Sequence, residues 1–66
     1  MKNTVKVERA ILDITQQQLA DAIGVSRNTI NSIESGKYVP STVLALKTAR
    51  HFGKPVDTIF QLDAND

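Results

Sequence analysis

The sequence predicts an all-α fold of five short helices around one core, with room for a small β-hairpin-like pairing of the two termini. Three observations carry this. Apolar residues recur at helical spacing: Leu19, Ala20 and Ile23, then Ile30 and Ile33, then Leu44, Ala45, Ala49 and Phe52. Each set follows a residue suited to cap a helix, namely Thr15, Ser26 and Ser41. Each is closed by a glycine, at Gly24, Gly36 and Gly53, the residue that enters the left-handed region at a helix end without a Cβ penalty.

The first helix is expected over residues 4–12, capped by Thr4. Val5 and Leu12 fall on one face and Val7, Ala10 and Ile11 on nearly the opposite one, so this helix asks for two neighbours. One is the next helix pair; the other is the C-terminal tail or a second subunit. A short strand within residues 1–7 is the competing reading, because Val5 and Val7 alternate with polar residues. Asp13 stands in the following turn, where its short polar side chain tolerates a left-handed backbone. Thr15 and Gln18 have the spacing of a capping box that opens the second helix. Gly24 ends it, Val25 plugs the turn, and Ser26 caps a third helix. Ile30 and Ile33 give the third helix its buried side, while Arg27, Asn28, Asn31 and Ser32 give it a polar one. Pro40 biases Val39 to an extended backbone, and Ser41 opens a fourth helix running to about Phe52. Thr48 lies on the inward side of that helix, where its hydroxyl can bond to the carbonyl four residues earlier. Pro55 is placed to open a short fifth helix holding Val56, Ile59 and Phe60, and Leu62 follows in an acidic tail.

Sixty-six residues permit one domain, residues 1–66, with a small core; a chain of this size buries only ~60% of its unfolded surface, so a partner would help it. The absence of cysteine excludes disulfides and thiolate metal sites, which is compatible with a cytoplasmic protein. No apolar run approaches the roughly 20 residues that cross a bilayer, and no membrane partner is expected. The net charge of +1 announces no nucleic-acid binder by itself. The distribution says more: Asp57, Asp63 and Asp66 lie in the last ten residues, whereas Arg27 and Lys37 bracket the third helix.

The stretch from Thr15 to Gly36 resembles the helix-turn-helix of the phage repressor and Cro, or XRE, family. The residues that carry the resemblance are Thr15-Gln16, Leu19-Ala20, Gly24-Val25-Ser26, Thr29-Ile30, Ile33-Glu34 and Gly36. It continues through Pro40-Ser41, Leu44-Ala45, Ala49, Phe52 and Ile59-Phe60, and covers about residues 4–60. The resemblance implies a regulator of transcription that binds double-stranded DNA without a cofactor. It implies base contacts from Arg27, Asn28 and Ser32, to which the chemistry of the polar face adds Asn31. A single helix fits the major groove, where arginine can bridge guanine N7 and O6 and asparagine can bridge adenine N6 and N7. Phosphate contacts are implied for Gln16, at a helix N-terminus where free N–H groups attract anions, and for Lys37 and Tyr38. Thr29 is a further candidate. The resemblance also implies a partly buried ion pair between Arg9 and Glu34, tying the first helix to the end of the third. Such regulators act as homodimers, with two recognition helices ~34 Å apart on a near-palindromic operator. Ile59, Phe60 and Leu62, with Val7 and Ile11, are the candidate dimer surface, although Phe60 fits the core equally well. Repression is the expected mode, with any signal arriving through dimerisation, abundance or a regulatory protein partner. Two rival readings are an antitoxin-like DNA-binding protein that neutralises a partner, and an interaction module that has lost DNA binding.

Enzymatic activity is not expected. His51 is the only histidine and cannot build an ordinary zinc site without a second histidine or a cysteine. The serines have capping roles or lack a base, and no glycine-rich phosphate loop is present.

Overall fold

A computed structural model describes residues 1–66. Five helices follow one another: α1 Val5–Leu12, α2 Gln16–Ile23, α3 Arg27–Glu34, α4 Thr42–Phe52 and α5 Val56–Ile59. Two-residue strands, β1 Lys2–Asn3 and β2 Phe60–Gln61, pair antiparallel with Lys2 opposite Gln61 and Asn3 opposite Phe60. The ladder is extended by the Thr4 N–H, which donates to the Ile59 carbonyl at 2.9 Å.

The helix boundaries follow from local chemistry. Thr15 and Gln18 form the full capping box: the Gln18 N–H donates to Thr15 Oγ1 at 3.0 Å, and the Thr15 N–H donates to Gln18 Oε1 at 2.8 Å. Ser26 caps α3 by accepting from the Thr29 N–H, and Ser41 caps α4 by accepting from the Leu44 N–H. At the end of α3, the Gly36 N–H donates to the Ile33 carbonyl and the Lys37 N–H to the Ser32 carbonyl. That pair of bonds is a Schellman motif, and it requires the left-handed backbone that Gly36 adopts at φ 79°. Asp13 ends α1 in the same way at φ 56°, the only non-glycine residue with positive φ.

The core is formed by Val5, Leu19, Ala20, Ile23, Ile30, Ile33, Leu44, Ala49, Ile59 and Phe60. The Thr48 hydroxyl donates to the Leu44 carbonyl at 2.8 Å, so this buried polar side chain is satisfied within its own helix. No helix is long and apolar enough to cross a membrane.

Several expectations need correcting. The Thr4 side chain does not cap α1; the Val5 N–H donates instead to Asn3 Oδ1 at 3.2 Å. The strand considered for residues 1–7 is confined to Lys2–Asn3. Of the two apolar faces expected on α1, only Val5 is buried, and Val7, Ile11 and Leu12 stay exposed. Glu8 takes a buried position, neutralised by Lys54, whose Nζ lies 2.8 and 2.9 Å from its two carboxylate oxygens. Pro55 stands one residue ahead of α5 rather than at its first position, and Phe60 leaves the helix for β2.

Candidate nucleic-acid interface

α3 is fixed from below and open above. Ile30 and Ile33 are buried among the core residues, with 1% and 2% of their surface exposed. With about 100° of rotation per residue, the side opposite this pair is the arc of Arg27, Asn31, Asn28 and Ser32. The first three are exposed and Ser32 is half-buried. The sequence-predicted base-contacting residues are therefore brought together on one solvent-facing arc.

Hydrogen bonds from Arg9, Asn3 and Gln16 hold α3 at its C-terminal end. Arg9 Nε donates to Glu34 Oε2 at 2.8 Å, and Arg9 Nη2 donates to Glu34 Oε1 at 3.2 Å. The remaining arm of the fork, Arg9 Nη1, donates to the Ile14 carbonyl at 2.9 Å and ties in the α1–α2 turn. Asn3 Nδ2 donates to the Ile33 carbonyl at 2.8 Å, so the residue that caps α1 adds a second hydrogen bond to a carbonyl that also accepts from the Gly36 N–H. Burial of Glu34 opposes ionisation, but the hydrogen bonds from Arg9 and Gln16 outweigh it and hold its carboxyl below the ordinary value of 4.5. Hydrogen bonding to Glu34 likewise stabilises the charged Arg9 guanidinium and raises its pKa.

Gln16 behaves differently from a free phosphate-contacting side chain. Its Nε2 donates inward, to Glu34 Oε1 at 3.0 Å and to Asn31 Oδ1 at 3.4 Å. What it offers an anion is its backbone N–H at the first position of α2, beside that of Gln17; neither has a partner inside the helix. Arg27 shares a shallow groove with Thr15, Gln16 and Gln17, so a guanidinium and a helix N-terminus converge on the same solvent-filled space. Thr29 is half-buried, with its hydroxyl 3.0 Å from Ser26 Oγ, so the capping arrangement occupies it. Lys37 and Tyr38 are exposed just past α3, and their N–H groups both donate to the Ser32 carbonyl, at 2.9 and 3.2 Å. The loop that carries them is thereby held against the end of the helix.

The proposed dimer residues divide. Leu62, Val7 and Ile11 are exposed. Ile59 and Phe60 are core residues whose side chains face inward, so they are not available to a second subunit. Their apolar character reflects the packing of α5 and β2 onto the core. The sequence reading missed Asn3, the Glu8–Lys54 pair, and an exposed apolar set at Val39, Val43 and Leu46. Asn3 carried a usable signal, being a capping residue two positions before Val5. Glu8 and Lys54 carried none, because 46 residues separate them.

A capped helix, a short glycine turn and a second helix with a buried isoleucine pair beneath a polar arc define a helix-turn-helix domain. The chain belongs to the XRE-type helix-turn-helix family, whose model, described as helix-turn-helix, matches residues 5–59. Over 60 residues, 91% of each chain, it is 52% identical to an uncharacterized HTH-type transcriptional regulator of Methanocaldococcus jannaschii. It is 43% identical over 63 residues, 96% of each chain, to the HTH-type transcriptional regulator YgzD of Bacillus subtilis. An HTH-type transcriptional regulator of Archaeoglobus fulgidus is 42% identical over 66 residues, all of this chain and 93% of its own.

Proposed function

We propose that this chain is a transcriptional regulator that binds double-stranded DNA sequence-specifically, as a homodimer on a near-palindromic operator, and represses by occupying it. The observation that carries the reading is the exposed arc of Arg27, Asn28, Asn31 and Ser32 on a helix whose opposite side is anchored by Ile30 and Ile33. Such a helix fits the major groove, and its donors and acceptors match base edges there. The unpartnered N–H groups of Gln16 and Gln17, with Lys37 and Tyr38 beyond the other end of α3, are suited to phosphates on either side of the groove. One domain supplies few contacts, which favours two copies on one site. Val7, Ile11 and Leu62 are exposed apolar residues available for that pairing, as are Val39, Val43 and Leu46. Cytoplasmic action follows from a DNA target.

The test uses the chain's own promoter region as a labelled duplex. Arg27→Ala combined with Asn28→Ala should abolish specific retardation while the thermal melt stays that of the parent, because both side chains are exposed. Unchanged retardation would reject the reading and favour an interaction module. Sedimentation of the free protein and of the complex measures its stoichiometry.

A further inference from the structure

We infer that two copies of this chain are held together by α4 of each receiving the acidic C-terminal end of the other, with Leu62 seated on Val43 and Leu46 and the carboxylates of Asp57 and Asp63 facing Lys47 and Arg50. The inference deepens the proposed function and rests on its homodimer. Val43, Leu46, Lys47 and Arg50 follow at the i, i+3, i+4 and i+7 positions of α4, so they share the face opposite the buried Leu44, Thr48 and Ala49. All four are exposed and line one shallow groove. Neither Lys47 nor Arg50 forms an ion pair within its own chain. A single exposed apolar residue needs no explanation. An apolar pair continued by two unpaired cations along one groove is different, because it has a defined complement: an apolar side chain with carboxylates beside it.

The other end of the same chain has that composition. Leu62 is 78% exposed, the most exposed of the large apolar side chains, so its own fold leaves it uncovered. It stands on a fixed support. β2 pairs with β1 just before it. Just after it, the Asp63 N–H donates to Asp66 Oδ2 at 2.7 Å and the Asp66 N–H donates to the Asp63 carbonyl at 3.1 Å. A leucine projected from an ordered turn loses little freedom on docking. Asp63 is shared with the Met1 ammonium at 3.1 Å and Lys2 Nζ at 3.9 Å, whereas Asp57 is exposed on α5 without a cation. Asp57 therefore carries the larger uncompensated charge. The remaining exposed apolar pair, Val7 and Ile11 on α1, is no substitute, because the carboxylate next to Val7, Glu8, is already taken by Lys54. Each copy holds both halves of the match, so a two-fold axis makes the contact twice, as a self-complementary interface requires.

The experiment is sedimentation equilibrium of the full chain without DNA, compared with two charge-reversed proteins. One carries Lys47→Glu and Arg50→Glu, the other Asp57→Lys and Asp63→Lys. The second keeps the turn, whose bonds use the Asp63 backbone and the Asp66 carboxylate. Each reversed protein alone should dimerise about tenfold more weakly than the parent, because like charges then meet in both contacts. An equimolar mixture of the two should recover the dimer as a heterodimer, since both contacts again join opposite charges. Leu62→Ala should weaken the parent dimer by about tenfold, and Ile11→Asn should leave it unchanged. Failure of the mixture to recover overturns the inference. So does a dimer broken by Ile11→Asn and untouched by the α4 and tail variants, which would place the partner on α1. If Lys47→Glu with Arg50→Glu weakens retardation of a duplex while dimerisation stays that of the parent, the stripe contacts phosphate and the inference is likewise overturned. The sedimentation contains no DNA, so the two readings fail separately. A dimer recovered in the mixture by a parent chain that retards no duplex rejects DNA binding and keeps the interface. Specific retardation by a chain that stays monomeric rejects the interface and keeps DNA binding.

Discussion

Glu8 and Arg9 are neighbours in α1, and each clamps that helix to a different part of the molecule. Arg9 grips Glu34 at the end of α3, whereas Glu8 is held by Lys54 in the turn between α4 and α5. Both pairs are close, at 2.8 Å, yet they are not alike. The Arg9 and Glu34 side chains are 17% and 6% exposed, whereas the Lys54 side chain is 41% exposed. Arg9 uses a planar fork with three bonds, which sets direction as well as distance; Lys54 supplies a point charge. The inner pair also touches Gln16, and through it the polar arc of α3. The outer pair touches no residue of that arc. Distance alone therefore says little about what an ion pair does, while burial and the next hydrogen bond along say more.

The largest effect should come from breaking the inner pair. Glu34→Ala leaves the Arg9 guanidinium without its partner in a mostly buried place, and should destabilise the fold by about 3 kcal/mol. Thermal or urea unfolding measures it. Replacing both partners, Arg9→Met with Glu34→Leu, should cost clearly less than the single change, because no uncompensated charge remains. A double variant as unstable as Glu34→Ala would mean that the cost lies in losing the pair itself and not in a guanidinium left without its partner.

Acid sharpens the same contrast. The Glu34 carboxyl is held below its ordinary value of 4.5, so the folded state binds its proton less readily than the unfolded one. The resulting stability is complete above about pH 4.5 and is lost as the pH falls through the lower, folded value. Unfolding free energy followed from neutrality into that range should drop, and Glu34→Gln should remove this part of the drop. If Glu34→Gln follows the parent curve throughout, the inner pair is not the source of the acid sensitivity.

Much of this frame was legible beforehand, and the reason is local chemistry. Thr15 with Gln18, Ser26, Ser41, Gly24 and Gly53 each act on backbone groups within a few residues, so spacing along the chain specifies them. The outward arc of Arg27, Asn28, Asn31 and Ser32 follows from the helical period once Ile30 and Ile33 are taken as buried. The Arg9–Glu34 contact came from family resemblance, since no periodicity links residues 25 apart. What stayed hidden was tertiary. The apolar residues of α1 suggested two packed faces, but Glu8 is buried while Val7 and Ile11 are bare, because Lys54 compensates the carboxylate from a distant turn. Phe60 is open to either reading on pattern alone and Ile59 was expected at a dimer surface, yet the turn into β2 brings both inward. The inward hydrogen bonds of Gln16 were equally invisible, because they depend on how α2 meets the end of α3.

The smallest effect should come from the outer pair. Lys54→Ala leaves a carboxylate that is 11% exposed, but the site opens to water where the lysine was, so the cost should be about 1 kcal/mol. Salt separates the two cases. Counterions reach the exposed ammonium and screen it, so the penalty for Lys54→Ala should shrink at high ionic strength, whereas that for Glu34→Ala should persist. The base sequence selected by Lys54→Ala should match the parent's, since neither partner joins the hydrogen bonds that lead to Asn31. A Lys54 variant with altered base preference would mean that α1 transmits strain to α3 as a rigid body, and the two clamps would then be parts of one device.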